Sequence, residues 1–326
     1  MSGEALIRFT AHRLPRRDLA ALTDRSDGPA LARALVHLGT LAVMGTLTWK
    51  LRATLWAAPL LVLHGYVLAF VFCAFHEAAH RTAFRTRWLN AALGTVAGFL
   101  VFWPYRNYRV FHWEHHRHTQ DPERDPELYF PKPASLGVYL FVLTGIPNFL
   151  RRAGDILRLG SGRADRPWMA PSERRPLIRE ARAYLVAYAL VAAVSLSIGT
   201  PIALVLWIAP LLIGQVFLRP YLLAEHTGCA ATGDCLENTR TTLTLGLVRL
   251  FAWNMPYHAE HHAFPAVPFH ALPRLHARVR DEIAHLEPGY VAATLAVNRS
   301  LFGRPDAALE PAAARAPRAA TRRTHP

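Results

Sequence analysis

Hydrophobic and polar residues occur along this chain in long blocks rather than in a residue-by-residue alternation. Six apolar runs lie at residues 31–49, 53–75, 88–103, 136–150, 183–199 and 201–218, and longer arginine-rich segments separate the middle runs from their neighbours. A helix needs about 20 predominantly apolar residues to cross the hydrocarbon core of a bilayer. The first two and the last two runs approach that length and are paired by short connections. The pattern therefore predicts an all-α integral membrane protein with four transmembrane helices.

The two middle runs differ from the other four. Residues 88–103 would form ~24 Å of helix, less than the ~30 Å of hydrocarbon, and they include Gly94 and Gly98. Residues 136–150 are interrupted by Gly145 and Pro147 and continue directly into arginines. We expect both segments to lie at the membrane interface rather than to cross the bilayer.

The two ends of the chain have a different composition. Residues 1–30 are polar and arginine-rich, and they contain no apolar core of signal-peptide length. Residues 303–326 consist mainly of alanine, proline and arginine, with too little apolar content to fold. The sequence predicts a cytoplasmic N-terminal arm at 1–30, one membrane domain at 31–302 and a disordered tail at 303–326. Insertion should then depend on the first membrane helix.

Charge supports a membrane protein and suggests its orientation. The net charge of +14 on 326 residues comes almost wholly from arginine, because Lys50 and Lys132 are the only lysines. Such a balance is also typical of nucleic-acid binding, but here the arginines flank apolar segments, which favours a cytoplasmic surface near anionic lipids and no nucleic acid. Four crossings place both termini and residues 76–182 on that side, although Lys50 and Arg52 fall on the other. Three cysteines form no disulfide framework, which favours a reducing compartment. We predict the inner membrane of a bacterium.

The first motif that carries chemistry is His76-Glu77-Ala78-Ala79-His80, at the end of the second apolar run. Residues four apart share one face of a helix, so His76 and His80 can approach one metal ion. The letters match H-E-x-x-H, the zinc-protease signature, in which Glu77 would be the general base. Two histidines leave a metal under-coordinated, so the motif alone does not identify the chemistry.

Further histidines fall on the same predicted side of the membrane. The pattern H-x-x-H-H occurs twice, and one more histidine follows the last apolar run; these residues are His112, His115 and His116, then His258, His261 and His262, and finally His226. Offsets of three and four place each triplet on one helical face. Together with the first motif they provide nine imidazoles, which are too many for one ion and enough for two. Imidazole binds iron, copper and zinc, so the ligands do not name the metal.

These three motifs, their order and the membrane segments between them resemble the integral-membrane fatty acid desaturase and hydroxylase superfamily, over about residues 30–300. The resemblance implies a non-haem di-iron centre, held by all nine histidines in a cytoplasmic cap over four membrane helices. Stearoyl-type members have an asparagine one turn before the histidine that corresponds to His226, where it helps to hold a water ligand. Leu222 stands there in this chain. Either the water is held differently or one iron is more open.

Several acidic residues adjoin the histidines. Carboxylates that accept hydrogen bonds from the ring N–H groups would orient the ligands, and the candidates are Glu77, Glu114, Glu225, Glu260, Asp121 and Asp125. The alternative is that they are surface residues or turn residues paired with the many arginines. Arg240 is a candidate for binding a carboxylate or phosphate headgroup of the substrate, or else a residue beside a helix cap.

The resemblance implies an oxidoreductase that uses two iron ions and O2 to attack an unactivated C–H bond. We predict a desaturase acting on a fatty acyl chain or lipid, with a hydroxylase or ketolase as the alternative. No H-P-G-G haem motif is present. Electrons should therefore come from a separate carrier, such as an acidic ferredoxin with its reductase, attracted by the arginine-rich face.

Two other classes of protein share part of this pattern. An intramembrane zinc metalloprotease resembles the first motif but needs a later aspartate within an L-D-G element, which is absent, and it leaves both H-x-x-H-H motifs unexplained. A metal transporter needs polar residues at mid-depth in several spans. Only His37, His64 and Gln215 meet that condition.

Overall fold

The structure is a computed structural model that describes residues 14–129, 132–231 and 233–303. The first thirteen residues of the predicted arm and nearly all of the predicted tail lie outside these ranges. Within them the chain is mostly helical. The α-helices are α1 Arg16–Leu22, α2 Asp27–Lys50, α3 Ala57–Ala69, α4 Val71–His80, α5 Arg87–Leu100, α6 Tyr105–His118, α7 Leu136–Leu143, α8 Ile146–Gly160, α9 Pro171–Ser197, α10 Ala209–Ile213, α11 Gln215–His226, α12 Cys235–Asn238, α13 Gly246–Phe251, α14 His258–Ala263, α15 Leu272–Val279 and α16 Tyr290–Phe302.

Two helices are long and apolar enough to cross a membrane. They are α2, with 24 residues, and the nearly continuous pair of α3 and α4, which together span Ala57–His80. A third candidate consists of two parts, a π-helical turn with α10 at Leu204–Ile213 and then α11. The two parts are bent by 40° relative to each other, so they form a span only if they are counted together. The described residues therefore contain two such helices, or three with the bent pair, and the fourth crossing stays a prediction.

The candidate for that fourth crossing is α9, which contains most of the apolar run at 183–199. It has 27 residues, and the side chains of Val186, Leu190 and Val194, spaced four apart, are each more than half exposed. Residues at this spacing share one face of a helix, so α9 presents an uncovered apolar stripe. Lipid is the expected covering for such a stripe.

The second span differs from its predicted bounds in a way that matters for the histidines. Its helical path continues beyond residue 75 to His80 and ends at Arg81, which adopts a left-handed conformation with φ 58°. The first histidine motif therefore occupies the last turns of the membrane helix itself. Every residue of α4 is buried.

The run at 136–150 is interrupted at the glycine and proline noted in the sequence. The run at 136–150 is divided at Gly145, which has φ 72° and lies against Gln215, into α7 and the first residues of α8. Pro147 follows in the first turn of α8. Backbone N–H groups in a first turn have no partner within the helix, so the missing N–H of proline costs no hydrogen bond there. A glycine and a proline thus end one helix and begin the next.

Close packing of α3 against α10 joins the second and the last of the predicted membrane segments. A Cβ atom at Gly65 would lie 2.5 Å from the carbonyl oxygen of Pro210 and 3.0 Å from the backbone nitrogen of Gly214. Because these atoms belong to backbone, they cannot move aside as a flexible side chain can. A glycine is required at this contact.

We therefore expect Gly65→Ala to destabilise the protein by ~1–3 kcal/mol, the usual range for overpacking. Gly39→Ala is the matched control, since it also lies within a long membrane helix but has nothing within 4 Å of its added Cβ. The control should be neutral or slightly stabilising, because alanine favours a helix over glycine. Thermal unfolding of both variants in detergent measures the difference, and equal melting temperatures would contradict the packing argument.

A small sheet accompanies the helices, which the all-α prediction did not include. Strands β1 (Arg240–Thr242) and β2 (His285–Glu287) pair in parallel, with Arg240 opposite His285. The three residues of β1 are buried, and the backbone N–H of Thr242 donates to the carbonyl of Pro256, just before α14. The sheet therefore positions the segment that carries the third histidine motif.

Candidate metal centre

The four segments that carry the predicted histidines converge at one place. Helix α4 brings His76 and His80, α6 brings the first triplet, α11 ends at His226, and α14 brings the second triplet. Eight of the nine histidines are buried and His226 is partly buried. Tertiary structure therefore brings together residues separated by up to 186 positions, from His76 to His262.

The ring nitrogens form two groups in which the candidate ligand atoms all lie within 4.8 Å of one another. The first contains five histidines and the second contains three; they are His76, His80, His112, His116 and His261, and then His115, His226 and His262. The rings of His116 and His262 stack at 4.0 Å between their centroids, so the two groups are adjacent. The structure therefore contains a buried histidine cluster able to bind metal.

His258 belongs to neither group. Its ring centroid lies 4.6 Å from that of His262 and 5.1 Å from that of His226, and its Nδ1 lies 3.5 Å from a carboxylate oxygen of Glu225. Nδ1 of His258 has no hydrogen-bond partner among the described residues. Its position beside the group of three leaves it available there, while its role as a ligand stays a prediction.

The contacts in the group of five fit a cation better than they fit a hydrogen-bond network. Nε2 of His112 lies 2.8 Å from Nε2 of His80 and 3.0 Å from Nε2 of His116, and Nε2 of His80 lies 3.1 Å from Nε2 of His261. Both ring nitrogens of His76 are buried without a partner in the described chain. A ring nitrogen can donate or accept only one hydrogen bond, so the two contacts of His112 and the two contacts of His80 cannot all be hydrogen bonds. Metal bonds of ~2.1 Å would hold ligand nitrogens ~3 Å apart.

In the group of three, hydrogen bonds turn every Nε2 atom inward. Nδ1 of His115 donates to Asp125 at 2.9 Å. Nδ1 of His262 donates to Thr119 Oγ1 at 3.2 Å, since the Thr119 hydroxyl already donates to the carbonyl of His115. Nδ1 of His226 lies 3.4 Å from the carbonyl oxygen of Asn238, which can only accept. When the ring is neutral, each Nε2 is therefore left with a lone pair that faces the group, as metal binding requires; on His115 a metal ion would first have to displace a proton.

Burial keeps four histidines of the motifs on α6 and α14 uncharged. The pKa of His112, His116, His261 and His262 lies well below the ordinary value, first because burial disfavours the charged ring and then because neighbouring histidines repel a second charge. Imidazole must be neutral to bind a metal. The protein environment thus prepares these rings as ligands.

His115 differs because two carboxylates approach it. Burial lowers its pKa, but the charges of Glu127 and Asp125 act in the opposite direction and raise it to about 9. For Asp125 burial acts to raise the pKa. The charge of His115 and the hydrogen bond to it outweigh burial, so the pKa of Asp125 is lowered. Asp125 also accepts hydrogen bonds from the backbone N–H groups of Gln120 and Glu127, both at 2.9 Å. The loop after α6 therefore folds around this carboxylate and fixes the ring of His115.

The other predicted carboxylates face elsewhere, apart from the approach of Glu225 to His258. Glu77 accepts hydrogen bonds from Thr82 Oγ1 at 2.7 Å and from the backbone N–H of Phe269 at 3.2 Å. Glu260 is bonded to Thr241 and His276, Glu114 to Arg117, and Asp121 to the backbone of its own turn. A residue adjacent to a ligand on a helix points ~100° away from it, which explains these positions.

Arg240 lies beneath the end of α11 rather than in a substrate site. It is 3% exposed and donates to the carbonyls of Ala224 and Thr227, the latter at 3.0 Å. It does not line the large cavity described below. Its role as a headgroup ligand stays a prediction that these contacts do not support. Thr119, by contrast, contacts a candidate ligand and had no signal in the sequence.

A cavity of about 460 Å³ opens onto both histidine groups. Five of the nine histidines line it, namely His76, His112, His115, His226 and His258. Its apolar lining includes Phe72, Phe141 and Leu222. This volume is typical of a small-molecule site. A substrate carbon can therefore approach the cluster in a mostly apolar space.

Comparison with known proteins agrees with this site. The sequence profile described as Fatty acid desaturase matches residues 53–294, which include all nine histidines. The chain is 30% identical over 104 residues to an sn-1 oleoyl-lipid 12-desaturase of Picosynechococcus, covering 30% of this chain and 28% of the relative. It is 35% identical over 139 residues to a zeaxanthin 4-ketolase of Chlamydomonas reinhardtii, covering 39% and 30%.

A longer match is found with a dihydrorhizobitoxine desaturase of Bradyrhizobium elkanii. The two are 28% identical over 234 residues, which cover 66% of this chain and 64% of the relative. The chain thus covers less than a third of the first two relatives and just under two thirds of the third. The family profile spans nearly three quarters of the chain, from before the first histidine motif to after the last. The protein therefore belongs to the fatty acid desaturase family.

Proposed function

We propose that the protein is an oxygen-dependent, non-haem di-iron oxidoreductase of the membrane. The observation that carries this proposal is the pair of adjoining histidine groups, which are buried together and of which His76, His112, His115 and His226 open onto one cavity. The five-histidine group would hold one ion, and His115, His226 and His262 would hold the other, with His258 beside them. Two iron ions, when bound, supply the means to activate O2 for attack on an unactivated C–H bond.

The protein's own residues contribute binding, orientation and the exclusion of water. Phe72, Phe141 and Leu222 form an apolar wall that holds a hydrocarbon chain beside the histidines. Asp125 and Thr119 fix the rings of His115 and His262, so that the lone pairs keep one direction. A fixed geometry of this kind lowers the barrier by holding the reacting groups together.

Desaturation of a fatty acyl chain or lipid is the preferred reaction, and hydroxylation or ketolation on the same site is the alternative. The match that covers most of this chain among the relatives described above is with a desaturase, whereas the ketolase match covers 39%. Two electrons per turnover would come from a separate donor, for which we propose a ferredoxin with its reductase. The arginine-rich surface would attract such an acidic partner.

We further propose that residues 31–302 form one membrane domain with four crossings, the fourth supplied by α9, in the inner membrane of a bacterium. The exposed apolar stripe of α9 supports this crossing. Both termini and the histidine cluster would then lie on the cytoplasmic side, where ferredoxin is available. Cysteine labelling of single-cysteine variants, placed near residues 52 and 199, would report the opposite side if this topology is correct.

The reaction is tested by expressing the protein with a ferredoxin and its reductase and analysing lipids and small acids by mass spectrometry. A loss of two hydrogens is expected and supports desaturation, whereas a gain of one oxygen would select the hydroxylase alternative. Cleaved peptides without any oxidised product would overturn the proposal. The same cells lacking ferredoxin provide the control, and they should show little product.

Glu77→Gln separates this function from that of an H-E-x-x-H protease. In a protease Glu77 would be the general base, and its loss would abolish activity. Here Glu77 bonds to Thr82 and Phe269 rather than to a histidine. We expect the variant to retain about two irons per chain and measurable oxidation, with a lowered melting temperature because a buried hydrogen bond is weakened. Complete loss of activity with full metal content would contradict this prediction.

A further inference from the structure

Two buried arginines line the cavity that opens onto the histidines. Arg152 comes from α8 and is 6% exposed, and Arg219 comes from α11 and is 7% exposed. Arginine stays charged in proteins, and a buried charge normally has an anionic partner. The partners of these two guanidinium groups therefore indicate what else the cavity holds.

Neither arginine is paired with a carboxylate in the described part of the chain. Nη1 of Arg152 donates to the carbonyl of Val101 at 2.9 Å, its guanidinium lies over the ring of Trp103 at 4.3 Å, and its Nε has no partner. Nε of Arg219 donates to Gln215 Oε1 at 2.8 Å, and one of its Nη atoms has no partner. Asp155, which follows Arg152 on α8, is bonded to Arg166 at 2.6 Å. Two buried cations thus retain unused donors.

The two charges also affect each other. Burial lowers the pKa of Arg152 well below its ordinary value, and the charge of Arg219 lowers it further. The acids that line the cavity lie nearest to histidines: Asp125 is bonded to His115, Glu127 lies 3.9 Å from His115 Nε2, and Glu225 lies 3.5 Å from His258. The charges of Glu127 and Glu225 also act on Arg219, without an ion pair to it in the described residues, and they offset its repulsion only in part. An anion between the arginines would relieve this repulsion and use the free donors.

Helix α11 determines the distance from the charge of Arg219 to the histidine cluster. Arg219 and His226 are seven residues apart, which is two helical turns, so they share a face at a separation of ~10 Å along the axis. Leu222 and Leu223 lie between them and line the cavity. A ligand that extends along α11 would meet a cation first, then an apolar wall, and then the histidines.

We propose that the substrate carries an anionic group, a carboxylate or a phosphate, which Arg152 and Arg219 bind inside the cavity while its apolar chain extends past Leu222 to the histidines. The proposal rests on the proposed function, because it assumes that the apolar chain of the substrate must reach the histidines. It narrows that function to substrates whose charged end enters the protein, and it assigns to these arginines the role first considered for Arg240. A carboxylate can come from a free acid and a phosphate from a lipid headgroup.

The test uses the purified iron-loaded protein in detergent and measures thermal unfolding without turnover. Octanoate is compared with methyl octanoate, which has nearly the same chain but no charge, and with octyl phosphate and a lysophosphatidate. Binding stabilises the folded protein by an amount that grows with the ratio of ligand concentration to the dissociation constant. We expect the anions to raise the melting temperature and the ester to leave it unchanged. Octanoate as the tighter ligand would identify a free acid, and lysophosphatidate as the tighter ligand a lipid headgroup. Equal stabilisation by the ester would overturn the proposal.

Arg152→Met and Arg219→Met test the assignment to these two residues, because methionine keeps an apolar stem and removes the charge. We expect each change to weaken anion binding by more than ~10-fold, as the loss of a buried charge-assisted pair does, with the iron content unchanged. Arg158→Met is the matched control on α8, where Arg158 pairs with Asp165 at the surface, and it should bind as the unchanged protein does. Binding that is unaffected in both cavity variants would overturn the assignment.

The two proposals can fail separately. Octanoate binding without any oxidised product would overturn the proposed function and leave the anion site standing. Oxidation of neutral chains with no preference for the acid would overturn the anion site and leave the proposed function standing. If a cavity variant does not fold, the comparison of octanoate with its methyl ester in the unchanged chain still decides the outcome.

Discussion

His261→Ala is expected to lower the iron content from about two ions per chain to about one or fewer and to abolish oxidation of the substrate. His261 is fully buried in the five-histidine group, and its Nε2 lies 3.1 Å from that of His80. Even a residue that only supports a metal ligand contributes 10–100-fold to affinity or activity, so loss of a ligand should exceed ~100-fold. Metal analysis and product formation with ferredoxin measure the two effects.

His118→Ala is the matched control for this change. His118 lies on α6 beside the second motif, but its Nε2 lies 3.5 Å from Glu114, outside both groups. We expect its metal content and product formation to be those of the unchanged protein. Two irons retained in His261→Ala would contradict the proposed centre. A single zinc ion unaffected by the change would instead favour the protease.

Asp125→Asn should weaken metal binding by about 10–100-fold. The carboxylate accepts the Nδ1–H of His115 at 2.9 Å, and both side chains are 2% exposed, so solvent cannot replace the bond. Asparagine keeps the size of the side chain but not its charge, and its amide can turn a donor toward the ring. The ring of His115 should then be held less firmly in its orientation, and its basicity should fall. Competition with a chelator measures the retained iron, and electron paramagnetic resonance of the partly loaded protein reports which ion is lost.

Asp121→Asn controls for a change of acid to amide in the same loop. Asp121 accepts a hydrogen bond from the backbone of Glu123 in an exposed turn and contacts no histidine of either group. Its metal affinity should change by less than ~2-fold. Equal behaviour of the two variants would show that the bond between Asp125 and His115 does not support the centre.

Elements whose signal lies within one turn or one helix could be predicted from the sequence. The offset of four in His76 and His80 and the H-x-x-H-H spacing are properties of a single helix, and the structure places both on helices. The breaks at Gly145 and Pro147 are equally local, and the structure divides the run at that point, while its place at the membrane interface stays a prediction. The family assignment followed from three such motifs in a fixed order.

Properties that depend on packing could not be read in the same way. The sequence predicted the same role for Glu77 and Asp125, a hydrogen bond to a histidine ring, because both lie near histidines in the chain. Of these two, only Asp125 contacts a candidate ligand. Arg152 looked like a charge that ends an interfacial segment, and Arg219 had no assigned role. The first is buried because α8 packs beneath Trp103, and the second because α11 faces the cavity.

The sequence by itself determined that this is a helical membrane protein with nine candidate histidine ligands, since apolar run length and helical spacing are local quantities. Only the tertiary structure decided that five histidines form one group and three another, that His258 stands apart, and that two arginines without a carboxylate partner among the described residues share their cavity. Those facts depend on distances between residues far apart in the chain, which are determined by how the helices pack and not by their spacing along the sequence.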